Sequence, residues 1–294
     1  MSSFLDFCRA NGVIIDVTPP MGVWKRYKTL DKPNHRNGAV KYMGDHGFVR
    51  NWAQDSEANV WQQEGRDTQA KPIDMARIQA QRAKDRAYLI QSVRSARAFW
   101  NAATPLSLHH PYLAAKGLEP LGCAGLRIHD GLLVVPVMLG NALISVQTIA
   151  PNSDKRFWPG APVKAGSFVI RRPRSAITIL CEGLATGLAL FQSVRNASVV
   201  VCFDAGNLVK VAEFMRPTGS VVVFGDNDHG TLVKIGKNPG LDAARNAADL
   251  IGAGVAWCEG IEGTDADDYL RELGEGGARR LERLVLAKAK YVTA

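Results

Sequence analysis

Short apolar runs alternate with segments of helical periodicity between residues 176 and 270. The apolar runs predict four strands, Ile177–Leu180, Ser198–Phe203, Ser220–Phe224 and Gly254–Trp257. The periodic segments predict three helices, Ala185–Val194, Asn207–Met215 and Gly240–Ile251. Strands that alternate with helices are typical of α/β domains, because a helix carries the chain back between parallel neighbours. We therefore predict an α/β fold with a mostly parallel sheet flanked by helices.

A second pattern precedes this region, at residues 105 to 175. Apolar runs at Leu132–Val137, Ala142–Ile149 and Phe168–Arg172 are joined by short polar segments, which predicts an antiparallel β unit. This unit carries a set of cations, Arg127, Lys155, Arg156, Lys164, Arg171 and Arg172. It also contains His109 and His110, whose side chains diverge on any regular element, so we interpret them as a loop without a metal.

The first 104 residues are less regular. Phe4 to Cys8 predicts a short amphipathic helix that ends near Asn11-Gly12, and Pro72 to Ala103 predicts one long helix. A stripe of alanines on the long helix would permit close packing. Its Arg82, Arg86 and Arg97 fall on one face, within about 60° at 100° per residue. That face is a candidate contact for a nucleic acid backbone, with a merely solvated face as the alternative.

Aromatic and cationic residues are interleaved between the two predicted helices. They include Trp24, Lys25, Arg26, Tyr27, Lys41, Tyr42, Phe48, Arg50, Trp52 and Trp61. In one interpretation the rings stack on bases while cations such as Lys25 and Arg26 hold phosphates of a single strand. In the other, the rings are the core of a small sheet and the cations its wet face. The sequence leaves both open.

The overall charge favours a polyanionic partner without requiring one. The 294 residues contain 36 Lys and Arg against 28 Asp and Glu, a net charge of +8. The five cysteines, Cys8, Cys123, Cys181, Cys202 and Cys258, form no C-x-x-C pair, so no zinc site is predicted. Their scatter suits a reducing cytoplasm. We expect no signal peptide and no membrane span, since no apolar run approaches about 20 residues.

Acidic residues follow the predicted strands at three places. Glu182 follows the first strand, Asp226 and Asp228 follow the third, and Asp265, Asp267 and Asp268 lie beyond the fourth. Ligands gather at the carboxyl ends of strands in open α/β sheets, and carboxylates are ligands of Mg²⁺. Any single acidic turn is commonly structural. Three of them together predict a cation site for phosphate chemistry, in which Glu182 binds metal or accepts a proton.

These residues resemble the Toprim family, the catalytic module of bacterial primases, topoisomerases and some nucleases. The family pattern is a strand-end Glu-Gly, here Glu182-Gly183, and a strand-end Asp-x-Asp, here Asp226 to Asp228. Glu182 to Gly187, E-G-L-A-T-G, is similar to the E-G-Y-A-T-A signature of primases from satellite phages and conjugative plasmids. Asn207 lies in a similar G-N-L turn, and D-A-D-D from Asp265 resembles an acidic element of primases.

The resemblance extends upstream, to H-P-Y-L-A-A-K-G from His110 and K-R-F-W-P-G from Lys155. It implies a DNA primase that joins ribonucleoside triphosphates on a single-stranded DNA template during phage or plasmid replication. It also implies Mg²⁺ or Mn²⁺ as cofactor and a replicative helicase or single-strand binding protein as partner. The implied catalytic residues are Glu182, Asp226 and Asp228, with Asp265 and Asp267 as further metal ligands. The implied nucleotide- or template-binding residues are Arg127, Lys155, Arg156, Lys164, Gly183 and Asn207.

The chain also departs from known primases. It has no cysteine pairs for the zinc module that commonly reads the template, and no helicase P-loop. The alternatives are a metal-dependent Toprim nuclease and a non-catalytic DNA-binding accessory protein; a topoisomerase fits less well. We predict four regions: a basic and aromatic region with a long helix at 1–104, for which template binding is one of the two open interpretations, a nucleotide- or template-binding β subdomain at 105–175, a Toprim catalytic domain at 176–270 and a basic helix at 271–294.

Overall fold

The computed structural model describes residues 3–55, 57–63, 75–106, 110–118, 125–258 and 265–293. The predictions made for His109, Cys123, Gly263 and the helix start at Pro72 lie outside these ranges. The chain divides into two compact units, Met1–Met75 and Ala76–Ala294. No helix among the described residues is long and apolar enough to cross a membrane.

The N-terminal unit packs one helix on a four-stranded antiparallel sheet. The helix is α1 (Phe4–Ala10), as predicted, and Ser3 begins it with a capping box in which Ser3 and Asp6 bond reciprocally. The strands are β1 (Lys25–Tyr27), β2 (Gly38–Tyr42), β3 (His46–Asn51) and β4 (Asn59–Gln62), in spatial order β1-β2-β3-β4. Gly47 allows α1 to lie close, because a Cβ there would stand 2.2 Å from the ring of Phe4.

The long helix is α2 (Met75–Ala102). The prediction that its alanine stripe packs closely is wrong for the described positions, since every residue from Gln79 to Gln91 is exposed. That half of the helix keeps even its large apolar side chains exposed, since Tyr88, Leu89 and Ile90 are 61%, 42% and 45% exposed. The helix is buried only towards its C-terminal end, where Ser92 is 6% exposed and Ala96 is fully buried.

An antiparallel sheet follows α2, as predicted. Its elements are β5 (Thr104–Pro105), helix α3 (Pro111–Ala115), β6 (Arg127–His129), β7 (Leu132–Leu139), β8 (Ala142–Ile149) and β9 (Lys155–Phe157). The five strands lie in sequence order. One face packs on the end of α2, where Phe99 and Trp100 meet Val134 and Val146. The Trp158 indole also donates to Ser95 Oγ over 2.8 Å, which fastens the sheet to the helix.

The second sheet of this unit is six-stranded and mostly parallel, as predicted. Its strands are β10 (Phe168–Ile170), β11 (Ile177–Cys181), β12 (Ala197–Val201), β13 (Gly219–Phe224), β14 (Gly254–Ala256) and β15 (Lys290–Val292). The spatial order is β10-β12-β11-β13-β14, with β15 paired to the start of β13. β11, β12, β13 and β14 are parallel, while β10 and β15 are antiparallel. β10 therefore belongs here and not, as expected, to the preceding antiparallel unit.

Helices cover both faces of the parallel sheet. They are α4 (Leu184–Ser193), α5 (Ala205–Met215), α6 (His229–Ile235), α7 (Pro239–Ile251), α8 (Ala266–Leu273) and α9 (Glu275–Lys288). α4, α8 and α9 contribute to the core on one face, and α5 and α7 to the core on the other. The sequence pattern predicted α4, α5, α7 and α9, but not α6, α8 or the terminal strand β15, because these span only seven, eight and three residues.

Candidate active site

The acidic residues gather at the carboxyl ends of the central parallel strands. β11 pairs with both β12 and β13, and Cys181 lies opposite Val201 and Phe224 at the last register positions. The chain leaves β11 through Glu182 and leaves β13 through Gly225 and Asp226. Because these strands are adjacent and parallel, their exits meet at one edge of the sheet. The third acidic segment joins them from the start of α8, where Asp265 is the N-cap.

Burial and mutual repulsion raise the pKa values of three of these carboxyl groups. Burial, followed by the charges of Asp228 and Asp204, raises the pKa of Glu182 to about 7. Burial and the charges of Asp267 and Asp268 raise that of Asp265 to about 6. The pKa of Asp226 is raised well above its ordinary value, again mainly by burial and then by Asp265 and Glu182. In the ionised site, the nearby cations therefore offset only part of the negative charge of these carboxylates.

Two groups hold the acidic loop after β13 in place. Thr186 Oγ1, in the first turn of α4, lies 3.2 Å from Asp226 Oδ1 as a donor. Asp228 Oδ2 accepts a hydrogen bond from the backbone N–H of Gly240 at 2.9 Å. Gly240 lies so close that a Cβ would stand 2.4 Å from the carbonyl oxygen of Asp226. A glycine is required at this position so that the start of α7 can support the loop.

A cavity of about 240 Å³ opens between these carboxylates and the antiparallel unit. Its acidic wall is formed by Glu182, Asp226, Asp265 and Asp267, and its other polar walls by Tyr112, Lys116 and Lys155. Lys155 Nζ lies 5.7 Å from the centroid of the Tyr112 ring. Lys116 Nζ lies 2.7 Å from Asp267 Oδ2. The site thus combines carboxylates from the parallel sheet and α8 with two cations from the preceding region.

Two predicted site residues next to the strand exits have different environments. Gly183 lines the cavity, but its φ of −99° is open to any residue and a Cβ there would meet nothing closer than 3.9 Å. The backbone at this position does not require a glycine, and the nucleotide- or template-binding role of Gly183 stays a prediction. Asp228 does not line the cavity; it begins α6 as N-cap.

Several predicted nucleotide-binding residues have their polar atoms occupied elsewhere. Arg127 Nη1 donates to the backbone oxygen of Trp100 at 2.7 Å, and its guanidinium lies 4.4 Å from that ring. Asn207 accepts from Ala165 N–H at 2.7 Å and donates to the carbonyls of Gly166 and Cys202. Both residues thus have contacts that hold the fold, and their nucleotide-binding role stays a prediction. Trp100 is 27 positions from Arg127, and Ala165 and Gly166 are 42 and 41 positions from Asn207, so the sequence pattern does not reveal these contacts.

The remaining predicted contacts are not among the residues that line the cavity. Arg156 is 78% exposed and pairs with Asp154 at 2.8 Å, since it alternates with Lys155 along β9. Lys164 is exposed in the loop before β10. On α2, Arg82 and Arg86 are exposed, whereas Arg97 Nε donates to the carbonyl of Leu143 at 2.8 Å. Lys25 and Arg26 are exposed in the N-terminal unit. Their binding roles stay predictions.

The carboxylate cavity fits a hard divalent cation in its chemistry. Asp267 is 1% exposed, and its Oδ1 has no hydrogen-bond partner among the described residues. Within that part of the chain, no three His, Cys, Asp or Glu side chains form a complete cage for one ion. Mg²⁺ does not need such a cage, because it usually keeps several waters and takes one or two carboxylates plus substrate phosphates. Raised carboxyl pKa values are the expected signature of a site that a cation would relieve.

Sequence reasoning did not single out three residues as members of this site. Lys116 and Tyr112 lie in the H-P-Y-L-A-A-K-G segment, and only the resemblance drew attention to that segment. Asp204, at the exit of β12, raises the pKa of Glu182 and caps α5 through Asn207 N–H. The position of Asp204 after a predicted strand was a usable signal. For Tyr112 and Lys116 no local pattern indicated that their segment faces the carboxylates.

Comparison with known proteins agrees with the Toprim resemblance. Residues 177–276 match the sequence model of the Toprim domain. Two proteins named DNA primase TraC, both from Escherichia coli, are 29% and 28% identical over 165 and 157 residues. Each match spans 50% of this chain, but only 15% and 11% of the relative. The chain therefore covers a small part of these longer proteins. The prediction of a Toprim domain is confirmed, and Toprim domains of primases are generally metal-dependent.

Solved structures of primases share lower similarity with the chain. A DNA primase domain from Pseudomonas aeruginosa has 17% identity and a TM-score of 0.42, covering 68% of this chain and 79% of that one. The primase fragment of the bacteriophage T7 primase-helicase protein has 14% identity and a TM-score of 0.43, covering 61% and 78%.

Proposed function

We propose that this chain is a DNA primase of the phage or plasmid type. It would synthesise short RNA primers on single-stranded DNA from ribonucleoside triphosphates, as a nucleotidyltransferase in DNA replication. The observation that carries the proposal is the cavity in which Glu182, Asp226 and Asp265 face Lys116 and Lys155. The E. coli relatives named DNA primase support the same activity.

The reaction forms one bond and breaks another at phosphorus. The 3′-hydroxyl oxygen of one nucleotide bonds to the α-phosphorus of the next, the bond to pyrophosphate breaks, and the hydroxyl proton leaves. A bound Mg²⁺ or Mn²⁺ would neutralise the triphosphate and make the hydroxyl more acidic. The carboxylates of Glu182, Asp226 and Asp265 would hold the cation, with Asp228 and Asp267 completing the acidic set.

The residues of the chain would do the positioning and the charge compensation. If Asp226 and Asp265 hold the cation without Glu182, the Glu182 pKa of about 7 suits it to accept the hydroxyl proton near neutral pH instead. Lys155 is exposed at the cavity and would contact a triphosphate approaching the acidic wall. A purely acidic pocket would repel nucleotides, so a cationic opposite wall is needed for the substrate to enter.

The partners of this activity would be the single-stranded template and the ribonucleoside triphosphates. A replicative helicase or a single-strand binding protein would act with it at a replication fork. Lys164, Arg156 and the exposed Arg82 and Arg86 remain candidates for contact with the DNA backbone, because they are exposed cations in the unit that holds the site.

Primer synthesis tests this function. Wild type is incubated with mixed-sequence single-stranded DNA, labelled ribonucleotides and Mg²⁺ or Mn²⁺, beside Asp226→Asn. Asp242→Asn, an exposed carboxylate of α7 paired to Arg245, is the matched control. We expect short labelled oligonucleotides from wild type and Asp242→Asn and none from Asp226→Asn. Degraded template without product would indicate a nuclease. DNA binding with neither reaction would indicate a non-catalytic accessory protein.

A further inference from the structure

The aromatic residues of the N-terminal unit are divided between the two faces of its sheet. On the inner face, the Phe4 ring of α1 lies 5.0 Å from Tyr42 and 5.3 Å from Trp61. These rings close the small core together with Val40 and Val49. The interpretation of the aromatics as core is therefore correct for this face. It does not account for the rings on the other side.

The outer face carries cations and rings at adjacent register positions. In β3, Gly47 and Val49 are buried against α1 while Phe48 and Arg50 point to the opposite side. Strand pairing then places Lys41 beside Phe48, and Ala39 between Arg50 and Arg26. Three cations from three neighbouring strands therefore flank a ring on one flat surface.

Two tryptophans extend this surface and are half exposed. Trp52, which follows β3, is 50% exposed, with the guanidinium of Arg50 3.6 Å and that of Arg26 5.1 Å from its ring centroid. Trp24, which precedes β1, is also 50% exposed and lies 6.2 Å from the Phe48 ring. The two arginines hold the indole of Trp52 in position by cation–π contact. A contiguous patch of exposed aromatic rings rimmed by polar residues is typical of an interaction surface.

We propose that this outer face, formed by Trp24, Arg26, Lys41, Phe48, Arg50 and Trp52, binds single-stranded nucleic acid. Every base has a flat apolar surface that stacks on such rings, and the cations complement its phosphates. A four-stranded sheet with rings on its open face can hold about two or three bases. The strand is the DNA template, an identification that rests on the proposed primase function.

None of the six residues that form this outer face is a cysteine, so the proposed binding does not depend on a cysteine-bound metal. Cys8, which lies in α1, is fully buried in the core between α1 and the inner face of the sheet. Stacking and phosphate contacts discriminate little between bases. The face therefore retains a strand without selecting a sequence, and base selection falls to other parts of the enzyme or to a partner.

The experiment is an equilibrium titration with the full chain. A labelled oligo-dT of about ten nucleotides is followed by fluorescence anisotropy at several salt concentrations, in EDTA and without nucleotides. The variants are Trp52→Ala, Trp52→Phe and the double variant Arg26→Gln/Lys41→Gln. The controls are Tyr291→Ala, which removes a 78% exposed ring outside this unit, and Lys210→Gln, an exposed cation of α5. Circular dichroism and urea unfolding check that each variant is folded.

The expected pattern separates stacking from charge. Trp52→Ala should weaken binding about tenfold or more, and Trp52→Phe should restore most of it, because a phenyl ring still stacks. The double charge variant should lower the salt dependence by about 1.4, since each phosphate contact on a single strand contributes about 0.7 to the slope. Both controls should bind as wild type does.

Several outcomes would overturn the inference. Unchanged affinity of both Trp52→Ala and the double charge variant would exclude this face as the binding surface. If the variants lose affinity for double-stranded DNA as much as for oligo-dT, the face is a non-specific basic patch instead. If wild type binds oligo-rU more tightly than oligo-dT, the strand is not a DNA template. Because the titration contains neither nucleotide nor metal, a failure of primer synthesis leaves its result intact. If primers are made, Trp52→Ala should raise the KM for template and leave kcat unchanged.

Discussion

Lys116 Nζ lies 2.7 Å from Asp267 Oδ2 and joins the end of α3 to the first turn of α8. The Asp267 side chain is completely buried, whereas that of Lys116 is 27% exposed. Burial lowers the pKa of Lys116, but its hydrogen bond with Asp267 and the charges of Asp267 and Asp268 outweigh that effect, so the net pKa is raised. This ion pair connects the antiparallel region to the acidic wall of the Toprim domain.

Removing Lys116 should destabilise the protein strongly. Lys116→Ala leaves the Asp267 carboxylate buried without its counter-charge, which in buried pairs costs about 3 kcal/mol or more. The free energy of unfolding in urea measures the effect. Lys116→Arg, which keeps the charge, should lose much less. Adding Asp267→Asn to Lys116→Ala should recover part of the loss, and strict additivity of the two changes would contradict a direct pairing.

The metal-free protein should become less stable as pH rises towards neutrality. The pKa of Glu182 is raised from 4.5 to about 7, so the folded state binds more protons than the unfolded state between these values. The contribution of Glu182 to the free energy of unfolding is thus fully present below about pH 4.5 and is lost as the pH rises through about 7. Glu182→Gln, which is always neutral, should match wild type in EDTA near pH 4.5 and exceed it at pH 8 by up to about 3 kcal/mol.

Divalent cations should reduce or reverse the stability advantage that Glu182→Gln has over wild type at pH 8. With Mg²⁺ at pH 8 the carboxylate gains a counter-charge, so wild type should recover stability relative to Glu182→Gln. Urea unfolding at both pH values, with EDTA and with Mg²⁺, measures this. Glu213→Gln on the surface of α5 serves as control and should show neither effect. A constant difference between Glu182→Gln and wild type at all pH values would contradict the buried charge cluster.

Gly187 should resist even the smallest enlargement. A Cβ at this position of α4 would stand 2.6 Å from Val201 Cγ2 and 3.2 Å from Cys181 Sγ, both in fully buried strands. Gly187→Ala should therefore lower the free energy of unfolding by about 1–3 kcal/mol. Val201→Ala in the same chain should restore part of this by making room. Gly276→Ala, in α9 with open space around it, should be neutral or slightly stabilising.

Asn207 should behave as a structural residue. Asn207→Ala leaves the N–H of Ala165 and the carbonyls of Gly166 and Cys202 without their side-chain partner, at a cost of about 1–3 kcal/mol for each group left unsatisfied. Thermal unfolding should show a clear loss. If the folded variant makes primers, its KM for nucleotide should equal that of wild type. An increase in KM without a loss of stability would instead favour the nucleotide contact that the sequence resemblance implied.

Part of the candidate site was accessible from the sequence. Glu182 and Asp226 follow apolar runs, and those runs are the adjacent strands β11 and β13. Because the strands are parallel and adjacent, their carboxyl ends lie side by side. The alternation of strands and helices was therefore sufficient to predict that Glu182 and Asp226 lie close together. Lys155 was named from the resemblance and lines the cavity, whereas Arg156, one position later, points away because side chains alternate along a strand.

The sequence by itself determined the four parallel strands of the Toprim domain, its helices α4, α5 and α7, and the acidic residues at the strand ends, because periodicity and turn residues act over a few positions. Only the tertiary structure decided which cations reach the carboxylates and which are used to hold the fold. Lys116 meets Asp267 across 151 positions of the chain, and Asn207 meets Gly166 across 41. Such contacts depend on how distant surfaces pack, and no local pattern of apolar and polar residues specifies that packing.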